Sequence, residues 1–238
     1  MNIALPSAEA GCKYPLISFS GMDGSGKTTQ IEALCNQLSE TGIPVRRLAL
    51  WDNVVGVSKL RAAFSHKFLK SDGGVGEPGK PAHRNDKNNR AWYLLAVRSV
   101  LYVMDALNLR RVVEKVRNGD AAVIVFDRYI YDQLATLPLE YSVMRAYARL
   151  ILHIVPKPDV AYLLDAEPQV ARDRKPEYPL DFLHKYRSSY LRLRDIADLT
   201  LIEPQSQADA QVAIATRLQQ CGQIQNVSSR FSGSIAAA

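Results

Sequence analysis

Several features that would assign this chain at a glance are missing from it. No apolar run approaches the about 18–20 residues that a membrane span needs, so no membrane partner is expected. The first residues carry neither a basic start nor an apolar stretch of the kind that directs secretion. Cys12, Cys35 and Cys221 are odd in number and far apart, and they match no metal or redox spacing. His66, His83, His153 and His184 are isolated, without metal-ligand pairing. A reduced, cytoplasmic setting is the plain expectation. There is no internal repeat, no Lys/Arg run, and no zinc-finger or RNP signature. The formal charge of +6 is therefore spread along the chain. Diffuse positive charge suits phosphorylated small molecules as partners and gives no footprint for nucleic acid.

What is present alternates between strand and helix. With 238 residues the chain is long enough for one large domain and short for two. Strands are expected at 14–20, 44–50, 121–126, 159–164 and 199–202. Helices are expected at 27–39, 91–117 and 207–219, and another should carry Phe182, Tyr186, Tyr190 and Leu193. This order implies an α/β fold of three layers, a parallel five-stranded sheet flanked by helices. One domain is expected over 14–221, between tails at 1–13 and 222–238. Residues 70–90 are rich in Gly, Pro, Asn and Lys and read as a flexible insert. It could offer Lys80, Arg84, Lys87 or Arg90 to a phosphate, with none of them preferred. In the long helix, Leu94, Leu101, Leu109, Val112 and Val116 mark the expected buried stripe. Arg98 and Asp105 fall on the same stripe. They must either find partners or face a polar cleft, because an unpaired charge on a buried face is costly.

Gly21-Met-Asp-Gly-Ser-Gly26-Lys27-Thr28 satisfies the phosphate-loop pattern G-x-x-x-x-G-K-[ST] in full. An apolar strand leads in and an amphipathic helix leads out, which is the placement the chemistry requires. Gly21, Gly24 and Gly26 let backbone N–H groups converge on phosphate oxygens, together with Asp23, Ser25 and Thr29 of the same loop. The helix N-terminus at Lys27 adds its positive dipole end. Lys27 would place an ammonium on the β- and γ-phosphates of ATP, and Thr28 a hydroxyl on Mg²⁺. Asp127 ends the third strand, where ligands bind in open α/β sheets, and its carboxylate could join the Mg²⁺ shell or cap the segment that follows.

Three stretches resemble thymidylate kinases. Residues 19–30 (FSGMDGSGKTTQ) follow that family's F-x-G-x-D-G-x-G-K-[ST]-T-Q loop. Asp127-Arg128-Tyr129 is similar to its D-R-[YH] motif. Residues 164–174 (LDAEPQVARDR) resemble its fourth strand and the start of its lid. The likeness spans about 15–220. It implies transfer of the γ-phosphoryl group of ATP to dTMP or a related monophosphate, with Mg²⁺ as cofactor and a possible homodimer. Residue by residue, it implies that Asp23 positions the acceptor sugar, Arg128 grips the acceptor phosphate and Tyr129 crowds the sugar edge. Arg172 and Arg174, in a lid at about 172–180, would stabilise charge on the transferring group, since the P-loop itself has no arginine. Asp52 and Arg98 are further acceptor-side candidates, and the long helix is the candidate dimer face.

The departures all lie on the acceptor side. Where the family has R-E-P-G-G, this chain reads Trp51-Asp-Asn-Val-Val-Gly56, with only Gly56, Leu60 and Arg61 resembling the pattern downstream. After D-R-Y it continues Ile130-Tyr-Asp-Gln-Leu-Ala-Thr136 in place of a serine followed by Ala-Tyr-Gln. A kinase of the same fold with another small acceptor, or a non-catalytic nucleotide-binding regulator, are the alternatives. No N-K-x-D guanine-reading motif and no LSGGQ-like signature occurs, which speaks against a GTPase and an ABC-type ATPase.

Overall fold

The computed structural model describes residues 15–55, 92–119 and 123–220. The expectations for 1–13, 70–90 and 222–238, and for Gly56, Leu60 and Arg61, lie outside them. The described strands are β1 (Leu16–Gly21), β2 (Val45–Ala49), β3 (Val123–Asp127), β4 (Val160–Leu164) and β5 (Thr200–Ile202). They form one parallel sheet in the order β2-β3-β1-β4-β5, with β1 at its centre. The chain builds β2 and β3 on one side of β1, then crosses to build β4 and β5 on the other. That reversal opens a crevice at the C-terminal end of β1. The phosphate loop starts there.

The described helices are α1 (Lys27–Glu40), α2 (Trp92–Arg117), α3 (Ile130–Leu134), α4 (Ser142–Ile154), α5 (Pro168–Arg174), α6 (Leu180–Arg194) and α7 (Gln207–Gln220). Alternation along the strands builds two cores. Leu16, Leu48, Ile124, Phe126 and Leu163 point to one face, which α2, α4 and α6 cover. Ile17, Phe19, Val123, Val125, Tyr162 and Ile202 point to the other, which α1 and α7 cover through Ile31, Leu34 and Ile214. Helices on both faces explain why β3 and β4 read as near-continuous apolar runs.

On α2 the buried side is centred on Tyr102, Asp105, Ala106, Leu109 and Val113, with Val112 and Val116 only packed against it. The stripe is thus rotated from the expected one. Asp105 belongs to it, because Gln133 Nε2 donates to its carboxylate at 2.6 Å. Three helices, α3, α4 and α5, were not among those expected from the sequence. α3 is only five residues long, too short for a helical period to register. α4 carries a clear amphipathic pattern that buries Ala148 and Ile151. A single π-helical turn, Leu50–Val54, follows β2, and Asn53 Oδ1 there accepts the Ala49 N–H at 2.7 Å. Among the described residues no helix is long and apolar enough to cross a membrane.

Candidate active site

The loop between β1 and α1 is shaped by contacts that only glycine allows. Gly21 has φ +143°, and a Cβ there would lie 2.4 Å from the Leu164 carbonyl oxygen of β4. Gly24 has φ +83°, and its Cβ would meet the Ala171 carbonyl oxygen of α5 at 2.4 Å. Both conformations lie in the left-handed region that side chains resist. The loop is therefore wedged between the end of β4 and the helix that carries Arg172 and Arg174.

Lys27 is buried beneath the loop. Its Nζ donates to the carbonyls of Gly21 at 2.8 Å and Met22 at 2.6 Å, and to Ser25 Oγ at 3.4 Å. Burial, and then the nearby Arg128 guanidinium, push the ammonium down to about 7, against the pull of Asp132, Asp23 and Asp127. Thr28 and Thr29 are exposed at the start of α1.

An open cavity of about 750 Å³ lies over this loop. Residues 23–30, Asp127, Arg128, 164–167, Val170, Arg174, Lys175 and the segment 202–207 line it. Of the expected site residues it gathers Asp23, Gly24, Ser25, Gly26, Lys27, Thr28, Thr29, Asp127, Arg128 and Arg174, with Gly21 at its floor through the Lys27 bond. Arg174 Nη1 donates to the Gly24 carbonyl at 3.3 Å. Asp127 pairs with Arg47 of β2 at 3.2 Å.

Arg128 ties the phosphate loop to α3. It has φ +65°, unusual for a residue with a side chain, and its N–H bonds the Phe19 carbonyl of β1 at 2.9 Å. Its guanidinium reaches Asp23 on the phosphate loop through Nη2 and Asp132 on α3 through Nη1, the latter at 2.9 Å. Burial opposes its charge, yet Asp132 and then Asp23 hold it firmly protonated.

Four of the expected site residues lie away from this cavity. Tyr129 is fully buried, stacks edge-on against Phe126, and donates its hydroxyl to the Pro156 carbonyl. The left-handed turn at Arg128 sends consecutive side chains to opposite sides, one to the cavity and the next to the core. Arg172 does not line the cavity as Arg174 does. Residues two apart on a helix are separated by about 200° and cannot face the same way. Asp52 is exposed on the π-helical turn, and Arg98 is half-buried on α2; neither lines the cavity.

Other site residues were not singled out from the sequence. Arg187 on α6 binds Asp165 through two bonds of 2.8 and 2.6 Å, and Glu167 at 2.8 Å. It fixes the junction between β4 and α5, and its partners lie too far away in sequence to leave a local signal. The segment 203–207 enters the cavity only because β5 brings it there. Asp132 could have been noticed: an acid four residues after Arg128, within a mostly apolar Ile130–Leu134, needs a buried partner.

No family model matches the chain. A solved structure of thymidylate kinase from Candida albicans superposes with a TM-score of 0.58 at 15% identity, covering 89% of this chain and 93% of that one. Its likeness is one of fold. Three archaeal curated proteins, each described as "Probable thymidylate kinase", are similar in sequence. The Methanosphaera stadtmanae protein is 27% identical over 74% of this chain and 82% of its own length. The Archaeoglobus fulgidus protein is 28% identical over 76% and 82%, and the Methanothermobacter thermautotrophicus protein 32% over 75% and 80%. Sequence likeness of that extent, on the same parallel sheet and with an intact phosphate loop, makes this chain a member of the thymidylate kinase family.

Proposed function

We propose that this chain transfers the γ-phosphoryl group of ATP to dTMP, giving ADP and dTDP. The observation that carries the reading is the meeting of Lys27, Asp23 and Arg128 at one cavity, where the phosphate loop abuts the end of β3. The loop from Gly21 to Thr29 holds the donor phosphates, and Lys27 swings from the Gly21 and Met22 carbonyls onto them. Asp23 and Arg128 receive the acceptor. An acceptor phosphate oxygen bonds to the γ-phosphorus as the bond to the β–γ bridging oxygen breaks, and that oxygen leaves with ADP. Such transfer depends on positioning and charge, without a covalent enzyme intermediate. Arg174, already against the loop, is the arginine best placed to meet the developing charge; Arg172 would need the lid to move. Closing the lid excludes water, which would otherwise take the phosphoryl group.

The oxygen donors Thr28 and Asp127 suit Mg²⁺, which keeps several waters and needs few protein ligands. When bound it would neutralise phosphate charge. Asp127 would then exchange its Arg47 partner for the ion. A homodimer is part of the same reading. Val97, Val100, Met104 and Leu107 are exposed at helical spacing along α2, which supports that helix as the pairing face; a monomer mass by light scattering refutes it.

The test of function is ADP release with Mg²⁺-ATP against a panel of nucleoside monophosphates and nucleosides, with Lys27→Ala as control. Turnover is expected to be strongest with dTMP, at ~1–100 s⁻¹, and to vanish in the control. A different preferred acceptor, or none, overturns dTMP as substrate.

A further inference from the structure

Asp132 is a carboxylate with no solvent exposure of its side chain, in a segment whose other residues serve the core. Its four donors come from three separate places. Ser20 Oγ of β1 donates at 2.6 Å and the Tyr129 N–H at 3.3 Å, both to Oδ2. Tyr190 Oη of α6 donates at 2.8 Å and Arg128 Nη1 at 2.9 Å, both to Oδ1. The Asp132 backbone carbonyl also accepts from Tyr186 Oη at 3.1 Å. A carboxylate gripped from the central strand, the helix after the lid and its own helix start has one available rotamer. Buried charge of this kind is poor evidence for stability, since well-packed apolar residues often serve as well or better. Its value must lie in what it holds.

What it holds is Arg128. That guanidinium has two anionic partners of different character. Asp132 is held by four hydrogen bonds and sealed from water, whereas Asp23 sits on the phosphate loop at the cavity wall. An arriving phosphate can compete for the bond to Asp23 but has no access to Asp132. We propose that Asp132 is a positioning residue for the acceptor: it aims Arg128 by one fixed bond to Nη1 and leaves Nη2 as the end that exchanges Asp23 for the acceptor phosphate. The inference rests on the reading of Arg128 as the acceptor-phosphate ligand. It also ties the aim of that arginine to α6, since Tyr190 shares the same oxygen and its hydroxyl lies 3.2 Å from the Gly21 carbonyl oxygen.

The experiment is a double-mutant cycle with Asp132→Asn and Arg128→Lys, reading kcat and KM separately for dTMP and for ATP. Asp132→Asn keeps shape and loses the charge that aims Arg128. It should lower kcat/KM for dTMP by about 10²-fold, the scale of a misplaced binding group, and leave KM for ATP within about twofold. In the Arg128→Lys background the same change should cost less than about threefold, because its target is already gone. An equal loss in both backgrounds, or a matching loss on the ATP side, makes Asp132 structural and overturns the proposal. Should Asp132→Asn fail to fold, Tyr190→Phe keeps the ring and removes one bond to the carboxylate. An acceptor-only loss of about tenfold then supports the proposal; no loss, or equal loss for both substrates, overturns it. If wild type prefers another monophosphate, the cycle runs on that acceptor. Wild-type protein that turns over no monophosphate overturns the functional reading and this inference with it, whereas failure of the cycle alone overturns only the role of Asp132.

Discussion

Binding of nucleotide should draw a proton onto Lys27. In the free protein its ammonium is buried against the Gly21 and Met22 carbonyls, and burial with Arg128 nearby lowers it to about 7. Phosphate oxygens in the loop would add negative charge within bonding distance and restore the charged form. A group titrating at about 7 is only about one-tenth protonated at pH 8 and about nine-tenths protonated at pH 6. Mg²⁺-ATP binding should therefore take up about 0.9 proton at pH 8 and about 0.1 at pH 6. Its apparent affinity should fall about tenfold between those two values, roughly 1.4 kcal/mol. Isothermal titration in two buffers of unlike ionisation enthalpy measures the uptake directly. Lys27→Met supplies the reference, since it removes the titrating group and leaves any proton released or bound by the nucleotide itself. Uptake at pH 8 that is absent in wild type, or equal in wild type and Lys27→Met, refutes the argument.

The same depressed value has a consequence for the free protein. Between about 7 and the ordinary 10.5 the unfolded chain binds the proton and the folded one does not, so stability should rise with pH across that window. Urea midpoints at pH 7 and pH 9 test this, and Lys27→Met should flatten the rise. Gly24→Ala should raise KM for ATP at least about tenfold, because its Cβ meets the Ala171 carbonyl at 2.4 Å in a left-handed backbone; unchanged steady-state kinetics would exclude that wedge. Arg174→Ala should lower kcat by about 10³-fold or more, and Arg172→Ala by far less, because only Arg174 lines the cavity. Equal losses would mean that the lid rearranges enough to bring both arginines in. Tyr129→Phe should cost about 1–3 kcal/mol in chemical unfolding, from the Pro156 carbonyl left without its donor, with kcat/KM for dTMP intact. A change in dTMP kinetics without a change in stability would restore Tyr129 to the sugar edge.

Much of this protein could be read from its residues in order. The phosphate loop is local: a strand end, three glycines and a Lys-Thr pair contiguous in sequence must make an anion cradle wherever they fold. The five strands were legible for a related reason. Helices cover both faces of the sheet, so its central strands had to be largely apolar, and apolar runs bounded by polar turns stand out. Asp127 and Arg128 were legible because they end one of those runs.

The tertiary structure decided which side chains of neighbouring positions reach the cavity. Tyr129 and Arg128 are adjacent, yet a left-handed turn buries one and presents the other. Arg172 and Arg174 are alike in type, yet helical geometry lets only one line the cavity. Asp105 of α2 could enter the core only once Gln133, far along the chain, arrived to pair with it. The carboxylate at Asp132 likewise acquires its meaning from Ser20, Arg128 and Tyr190, which three separate elements bring to it. Local pattern specifies what a segment is, because backbone bonding and burial repeat with fixed periods. Which charges meet depends on distances that exist only after the sheet has closed.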